Sequence, residues 1–177
     1  MKILLILSVM VVVTGFFGAS RKYPPLETVE MVDLEKYMGK WYEIAAFPQR
    51  FEKGCHCVTA EYELTAKKYV RVTNSCRRGS PSGKLSVARG KAFVVKGSNN
   101  SKLKVQFFWP FKGNYWIIDL APDYSYAVVG NPSREYLWIL SRTPQMEMNL
   151  YQEILKRVEA KGFDTSRLRM TDQSCHQ

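Results

Sequence analysis

The chain has 177 residues, with 26 Lys and Arg against 16 Asp and Glu, a net charge of +10, and 46% hydrophobic residues. That is enough for one domain with a sizeable core, and the absence of internal repeats or low-complexity linkers excludes a repeat array. The basic balance points to anionic partners, namely nucleic acid, membrane headgroups or acidic ligands.

The first segment, "MKILLILSVMVVVTGFFGAS", runs from one lysine through an apolar stretch to small residues. This is the order of a secretory signal peptide, with "GAS" before Arg21 as the cleavage site. A membrane anchor is the competing reading, since Ile3 to Ala19 reaches the short limit for a span, roughly 17 residues. Residues 1–20 are read as the signal peptide and residues 21–177 as one domain. Lys2 is the single charge removed, so the mature chain carries one positive charge less, +9. Export makes nucleic acid an improbable partner and leaves membrane surfaces and acidic ligands. No cysteine lies near the cleavage point to carry a lipid, so the expected product is soluble, periplasmic or secreted.

In "VDLEKYMG" Asp33 is placed to cap one helical turn and Gly39 to end it. Eight strand-like runs follow: 41–47, 57–64, 68–76, 86–95, 102–109, 114–120, 125–130 and 135–142. Turn-forming stretches such as "GSPSG", "GSNNS" and "NPSR" separate them. Short strands at near-regular spacing argue an antiparallel barrel or sandwich. One helical pattern closes the chain, with Met148, Tyr151, Ile154, Leu155 and Val158 at helical spacing and Gly162 as the stop.

Side chains alternate between the two faces of a strand. One face of "KLKVQFFW" collects Leu103, Val105, Phe107 and Trp109; the others give Asn114, Trp116 and Ile118, then Tyr136, Trp138 and Leu140, then Ala60 and Tyr62. Ala88, Gly90 and Ala92 form a small-residue face. If these sets point inward, the interior is aromatic on one side and roomy on the other, a ligand cavity. A packed core accounts for the same aromatic faces, and alternation alone leaves the two readings open.

Four cysteines, Cys55, Cys57, Cys76 and Cys175, lie in the exported part, and an even count there reads as disulfides with three pairings open. "CHC" does not fit a zinc site, because Cys55 and Cys57 flank His56 too closely for the usual ligand spacing. No metal, cofactor or catalytic constellation is called for, and the chain is read as a non-enzyme.

Gly39-Lys40-Trp41-Tyr42 opens the first strand, and "WILSRTP", with Arg142, ends the last one just before the helix. With that helix, these motifs resemble the lipocalin family over the whole mature chain. "WYEIAAFPQRFEKG", "RGKAFV" and "YLWILSRTP" are most similar to its bacterial lipocalin and apolipoprotein D-like group, with the plant temperature-induced lipocalins close by. The resemblance implies an all-β fold: an eight-stranded antiparallel up-and-down barrel with one C-terminal α-helix packed outside. It also implies that Trp41 crosses the closed floor with Arg142 laid over it, while Gly39 allows the turn into the strand. Two departures stand out. The family's middle Thr-Asp-Tyr is here Pro122-Asp123-Tyr124. The lipidated N-terminal cysteine of many bacterial relatives is missing, which argues against outer-membrane anchoring.

The apolipoprotein D-like pattern implies a Cys57–Cys175 bridge from strand to tail, which leaves Cys55 to pair with Cys76. Strict alternation does not put those two on one face, so a bulge or loop must help. The resemblance further implies a carrier of an amphipathic lipid, a fatty acid or lysophospholipid, serving membrane maintenance or lipid storage and transport. Val72, Phe107, Trp109, Trp116, Ile118, Tyr136 and Trp138 are expected around the tail, with Ala60, Tyr62 and Asn74 on neighbouring strands. Glu43 points inward by alternation with Trp41, in a setting that favours its neutral form. Arg50, Lys53, Arg77 and Arg78 are expected at the mouth as cations for an anionic headgroup, with membrane-surface contact and a monomer or homodimer. Two other readings remain open. One is a tetrapyrrole or retinoid carrier, with His56 or His176 as a haem ligand. The other is a thiol-dependent lipid isomerase through Cys76, which alternation with Val72 and Asn74 turns inward.

Overall fold

The computed structural model describes residues 23–176, so the signal peptide read at residues 1–20 lies outside the described residues. A single turn of helix, α1 (Leu34–Tyr37), precedes the sheet. Asp33 caps it as expected, its carboxylate accepting from the backbone of Glu35 and Lys36. Eight strands follow: β1 (Gly39–Ala46), β2 (Cys55–Leu64), β3 (Val70–Arg78), β4 (Lys84–Val94), β5 (Lys102–Gln106), β6 (Gly113–Leu120), β7 (Tyr126–Gly130) and β8 (Leu137–Ser141). Each pairs antiparallel with its successor, and β1 pairs with both β8 and β2, which closes the sheet into an up-and-down barrel. The long helix α2 (Met148–Ala160) lies outside it and buries Tyr151, Ile154 and Val158. Gly162 follows with φ +85°, a conformation that stops a helix readily only at glycine.

Two apolar clusters result. One fills the lower barrel around Trp41, Tyr62, Val72, Leu103, Ile117 and Val129. The other lies between the outer wall and α2, where Ala45, Ile118, Val128 and Ile139 meet Ile154 and Val158. This second cluster corrects one expectation. On β6 the inward residues are Tyr115 and Ile117, while Ile118, with Trp116 packed against it, belongs to the helix-covered outer wall. Because α2 makes the outer face of this strand apolar as well, alternation showed two apolar sets without showing which faces in.

Strand direction sorts the connections. Those at 47–54, 79–83, 107–112 and 131–136 share one end of the barrel, and α1 with the 121–125 turn shares the other. At the second end Trp41 is fully buried, its indole N–H donating to Tyr37 O at 2.9 Å. The Arg142 guanidinium lies 3.8 Å from the Trp41 ring and donates to the carbonyls of Lys36 (2.6 Å) and Lys40 (2.9 Å). Gly39 enters the strand at φ +89°, a backbone conformation that a residue with a side chain adopts only with strain. The variant Pro122-Asp123-Tyr124 turn still serves this end. Asp123 accepts from Ser125 N, and the Tyr124 hydroxyl accepts from Asp33 N.

The seam between β1 and β2 is built in two parts. The first half of β1 pairs with β2, Gly39 opposite Tyr62 through Tyr42 opposite Thr59. Beyond that the strands part, and the C-terminal tail enters the gap as a two-residue strand, β9 (Arg169–Met170), against Ala45 and Ala46. Thr171 N donates to Ile44 O, and Cys57 N to Asp172 O. The buried Gln173 amide donates to Glu43 O and Val58 O, bridging the two strands where they no longer touch. Cys57 pairs with Cys175 and so fixes the tail in this seam; Cys55 pairs with Cys76 across β2 and β3. A bulge between His56 and Thr59, with Cys57 at φ +55°, supplies the irregularity that strict alternation required.

Candidate functional site

The barrel interior holds a cavity of about 520 Å³ that opens at the end opposite Trp41. That lies within the range of roughly 300–1,000 Å³ usual for small-molecule sites. Its floor is a chain of hydroxyls in which Tyr115 stands between Tyr37 (2.8 Å) and Tyr62 (2.9 Å). Burial pushes the Tyr62 phenol up to about 12 and the other two well above their ordinary value, so the floor is neutral. The walls are chiefly apolar, from Val58, Ala60, Val72, Val105, Phe107 and Leu140. Phe107 lies over Gly90, where a side chain would meet its ring at 2.9 Å. The small-residue stretch of β4 therefore seats a ring instead of widening the space.

Of the expected lining, Glu43, Ala60, Tyr62, Val72, Asn74, Phe107, Tyr136 and Trp138 border this cavity. Trp116 and Ile118 do not, being on the wall under α2. Trp116 carries the Lys102 ammonium 4.3 Å over its ring instead. Trp109 is also outside. Strand β5 ends at Gln106, alternation ends with it, and the indole is 86% exposed on the following turn.

The four expected mouth cations line no part of the cavity. Arg78 donates to the backbone carbonyls of Lys53 (3.0 Å) and Phe51 (3.2 Å), tying the β1–β2 connection to the end of β3. Arg77 donates to Gly83 O in its own hairpin, and Arg50 and Lys53 are exposed. The one basic lining residue among those described is Lys112.

Sequence reasoning missed the connections that roof the opening. The short 3-10 turn Arg50–Glu52 brings Phe51 and Glu52 over one side, and the β5–β6 turn brings Phe108 and Phe111 over the other. Such segments have no periodicity, so only their aromatic content hinted at a role. Glu43 and Glu52 are the acidic lining. Desolvation, and then the nearby Glu52 charge, raise Glu43 to about 8 against the pull of a Thr171 hydrogen bond. Desolvation raises Glu52 to about 7, opposed by its bond from Trp138.

Neither histidine reaches the cavity. His56 pairs with Asp172 at 3.2 Å, and His176 meets the Tyr42 ring edge-on at 5.1 Å. Nor is there a thiol to do chemistry, since all four cysteines are in disulfides, which removes the basis for an isomerase acting through Cys76.

Residues 32–173 match the family model described as a lipocalin-like domain. The chain belongs to the lipocalin family. It is 40% identical over 161 residues to the outer membrane lipoprotein Blc of Vibrio cholerae, covering 89% of this chain and 91% of that protein. It is 39% identical to temperature-induced lipocalin-1 of Arabidopsis thaliana (84% and 83% covered) and 34% identical to mouse apolipoprotein D (85% and 81% covered). Among solved structures, insecticyanin from the tobacco hornworm Manduca sexta superposes with a TM-score of 0.69 over 88% of this chain and 89% of that one. At 22% identity that likeness speaks for the fold alone. As a lipocalin the protein is a carrier type, built to bind small hydrophobic ligands. Among the described residues no helix is long and apolar enough to cross a membrane.

Proposed function

We propose that this lipocalin is an exported carrier that takes an amphipathic lipid, a fatty acid or a lysophospholipid, into its barrel for membrane maintenance or lipid transport. The observation that carries this reading is the cavity of about 520 Å³, chiefly apolar along its walls and open at the end opposite Trp41. The acyl tail lies against Val72, Val105, Phe107 and Leu140 above the tyrosine floor, and the polar end stays near the opening. Burying each methylene of such a tail contributes about 0.8 kcal/mol.

Contact with a membrane surface belongs to the same reading. Phe108, Trp109 and Phe111 are 79%, 86% and 77% exposed on one turn at the opening, beside Phe51 at 58%. Rings of this kind settle at the headgroup level of a bilayer, and the net positive charge favours an anionic one. A carrier working there is a periplasmic or secreted protein.

Native mass spectrometry of protein exposed to a mixed lipid extract tests the proposal, with adducts of single-chain lipids as the expected outcome. Trp138 is the tryptophan that lines the cavity, so fatty acid titration is expected to quench it, and Trp138→Phe to remove most of that response. No adduct, together with no quenching, would defeat the carrier reading.

A further inference from the structure

Two carboxylates line the cavity, one from β1 and one from the turn that follows it. Glu43, on β1, is 5% exposed, and Glu52 reaches in from the 3-10 turn. Neither forms an ion pair among the described residues. Each has one side-chain hydrogen bond, Glu43 Oε1 from the Thr171 hydroxyl and Glu52 Oε1 from the Trp138 indole at 3.4 Å. The single basic residue on the lining, Lys112, places its ammonium 4.6 Å over the Phe93 ring. Phe93 neighbours the inward-facing Ala92 and so faces outward. The one available cation is thus turned away from the acids.

Rings surround the same spot. Tyr136 and Trp138 stack with centroids 5.9 Å apart and planes 17° from parallel, and Phe51 precedes Glu52 in the turn. All three line the cavity. Asn74 Oδ1 adds a buried acceptor with no donor among the described residues. Aromatic faces beside carboxylates are the chemistry that recognises alkylated ammonium ions. A guest carboxylate or phosphate placed here would meet two acids and no opposing charge.

We propose that Glu43, Glu52 and the stacked Tyr136–Trp138 pair form a receptor for an ammonium group, so that the guest is an amphiphile with a cationic end. Choline or ethanolamine lysophospholipids and simple long-chain amines share that chemistry. The proposal rests on the carrier reading and selects, within it, against fatty acids.

The charge of the receptor varies with pH. Raised to about 8 and about 7, the two carboxyls are only partly ionised at neutrality. The other groups facing them are Thr171 from the tail and Tyr62 and Tyr115, which stay protonated, while Lys112, the charged residue on the β5–β6 turn, holds its ammonium over Phe93. Ammonium binding therefore strengthens as pH rises through this window.

The test is calorimetric titration of the folded protein with hexadecyltrimethylammonium, palmitoyl lysophosphatidylcholine and palmitate. All are kept below their micelle concentrations and at physiological ionic strength, which screens the distant surface charge. At about pH 8.5 both ammonium ligands are expected to bind about tenfold tighter than palmitate, a factor within the range of one cation–π contact between its exposed and desolvated limits. Hexadecyltrimethylammonium should weaken about tenfold by about pH 5.5. The double substitution Glu43→Gln with Glu52→Gln, and Glu52→Gln alone at the less buried position, should flatten both the preference and the pH dependence. Binding of both ammonium ligands assigns the lipid headgroup as the source, and binding of the simple amine alone assigns a singly charged amphiphile. Palmitate binding as tightly as the ammonium ligands, or a preference that survives both substitutions, overturns the receptor and leaves the carrier standing. Failure of every ligand, and of an uncharged fluorescent apolar probe, overturns the carrier reading itself.

Discussion

The closed and open ends of this barrel are made of similar materials used in opposite ways. At the closed end an indole, three phenols and a guanidinium all find hydrogen-bond partners within the protein. Arg142 donates to two carbonyls of the chain entering β1 while covering Trp41, and the tyrosine hydroxyls bond in series. In the cavity above it the carboxylates of Glu43 and Glu52 have no counter-charge among the described residues, and at the open end Phe108, Trp109 and Phe111 face solvent. A polar group satisfied internally contributes to folding, whereas one left without a partner in a low-dielectric space costs stability until a guest supplies it. The difference separates residues that hold the barrel from residues that would hold a ligand.

Breaking the closed end gives the largest expected effect. Trp41→Ala removes a fully buried indole together with the surface on which Arg142 lies. Urea denaturation should show a loss of about 3–5 kcal/mol, as for other large-to-small core changes. Next comes the staple that brings the tail into the seam. Cys57→Ser with Cys175→Ser opens a bridge between residues 118 apart and should cost about 2–5 kcal/mol. Hydrogen exchange should then speed up at Thr171 and Cys57, whose amides bond across the seam. Unchanged exchange there would mean that β9 and Gln173 hold the tail without the bridge.

The closed end was also the more legible from the sequence. Gly39, Trp41 and Arg142 sit in short motifs whose family resemblance implied their roles, and the eight strands showed themselves through alternation. The cavity was legible only on strands with one apolar face. Alternation placed Glu43, Tyr62, Val72 and Trp138 on its walls, and failed at β6, where α2 makes both faces apolar. It also ran past the end of β5 to Trp109. Glu52 and Phe51 were out of its reach because a 3-10 turn carries no two-residue period. The expected cations line no part of the cavity, since Arg78 bonds to the Lys53 and Phe51 carbonyls at the rim and Arg77 to Gly83 O in its hairpin.

Neutralising the unpaired acid should move stability in the opposite direction from the core changes. Glu43 is raised from 4.5 to about 8, so between those values the folded protein binds more protons than the unfolded chain. Stability therefore falls as pH rises across that window and is level above it. Glu43→Gln removes this loss. Wild type and variant should unfold alike near pH 4, and the variant should be more stable above pH 8 by on the order of 3 kcal/mol. A variant less stable at every pH would show that the Thr171 hydrogen bond outweighs the burial of charge.

The smallest effect on folding is expected at the rim, where the contrast between the two ends is sharpest. Phe108→Ser with Trp109→Ser replaces two rings that are 79% and 86% exposed, so little packing is lost and stability should stay within about 0.5 kcal/mol. The reason these rings are tolerated in water has to be sought in what they touch, because an indole left exposed does nothing for the fold. If the rim meets a bilayer, the double variant should partition into anionic vesicles about tenfold or more weakly, since each ring that enters the headgroup region gains from leaving water. The decrease should persist in high salt, which removes the contribution of the basic surface and leaves that of the rings. Equal partitioning by wild type and variant would assign vesicle binding to charge alone and leave the exposed turn as part of the entrance to the cavity.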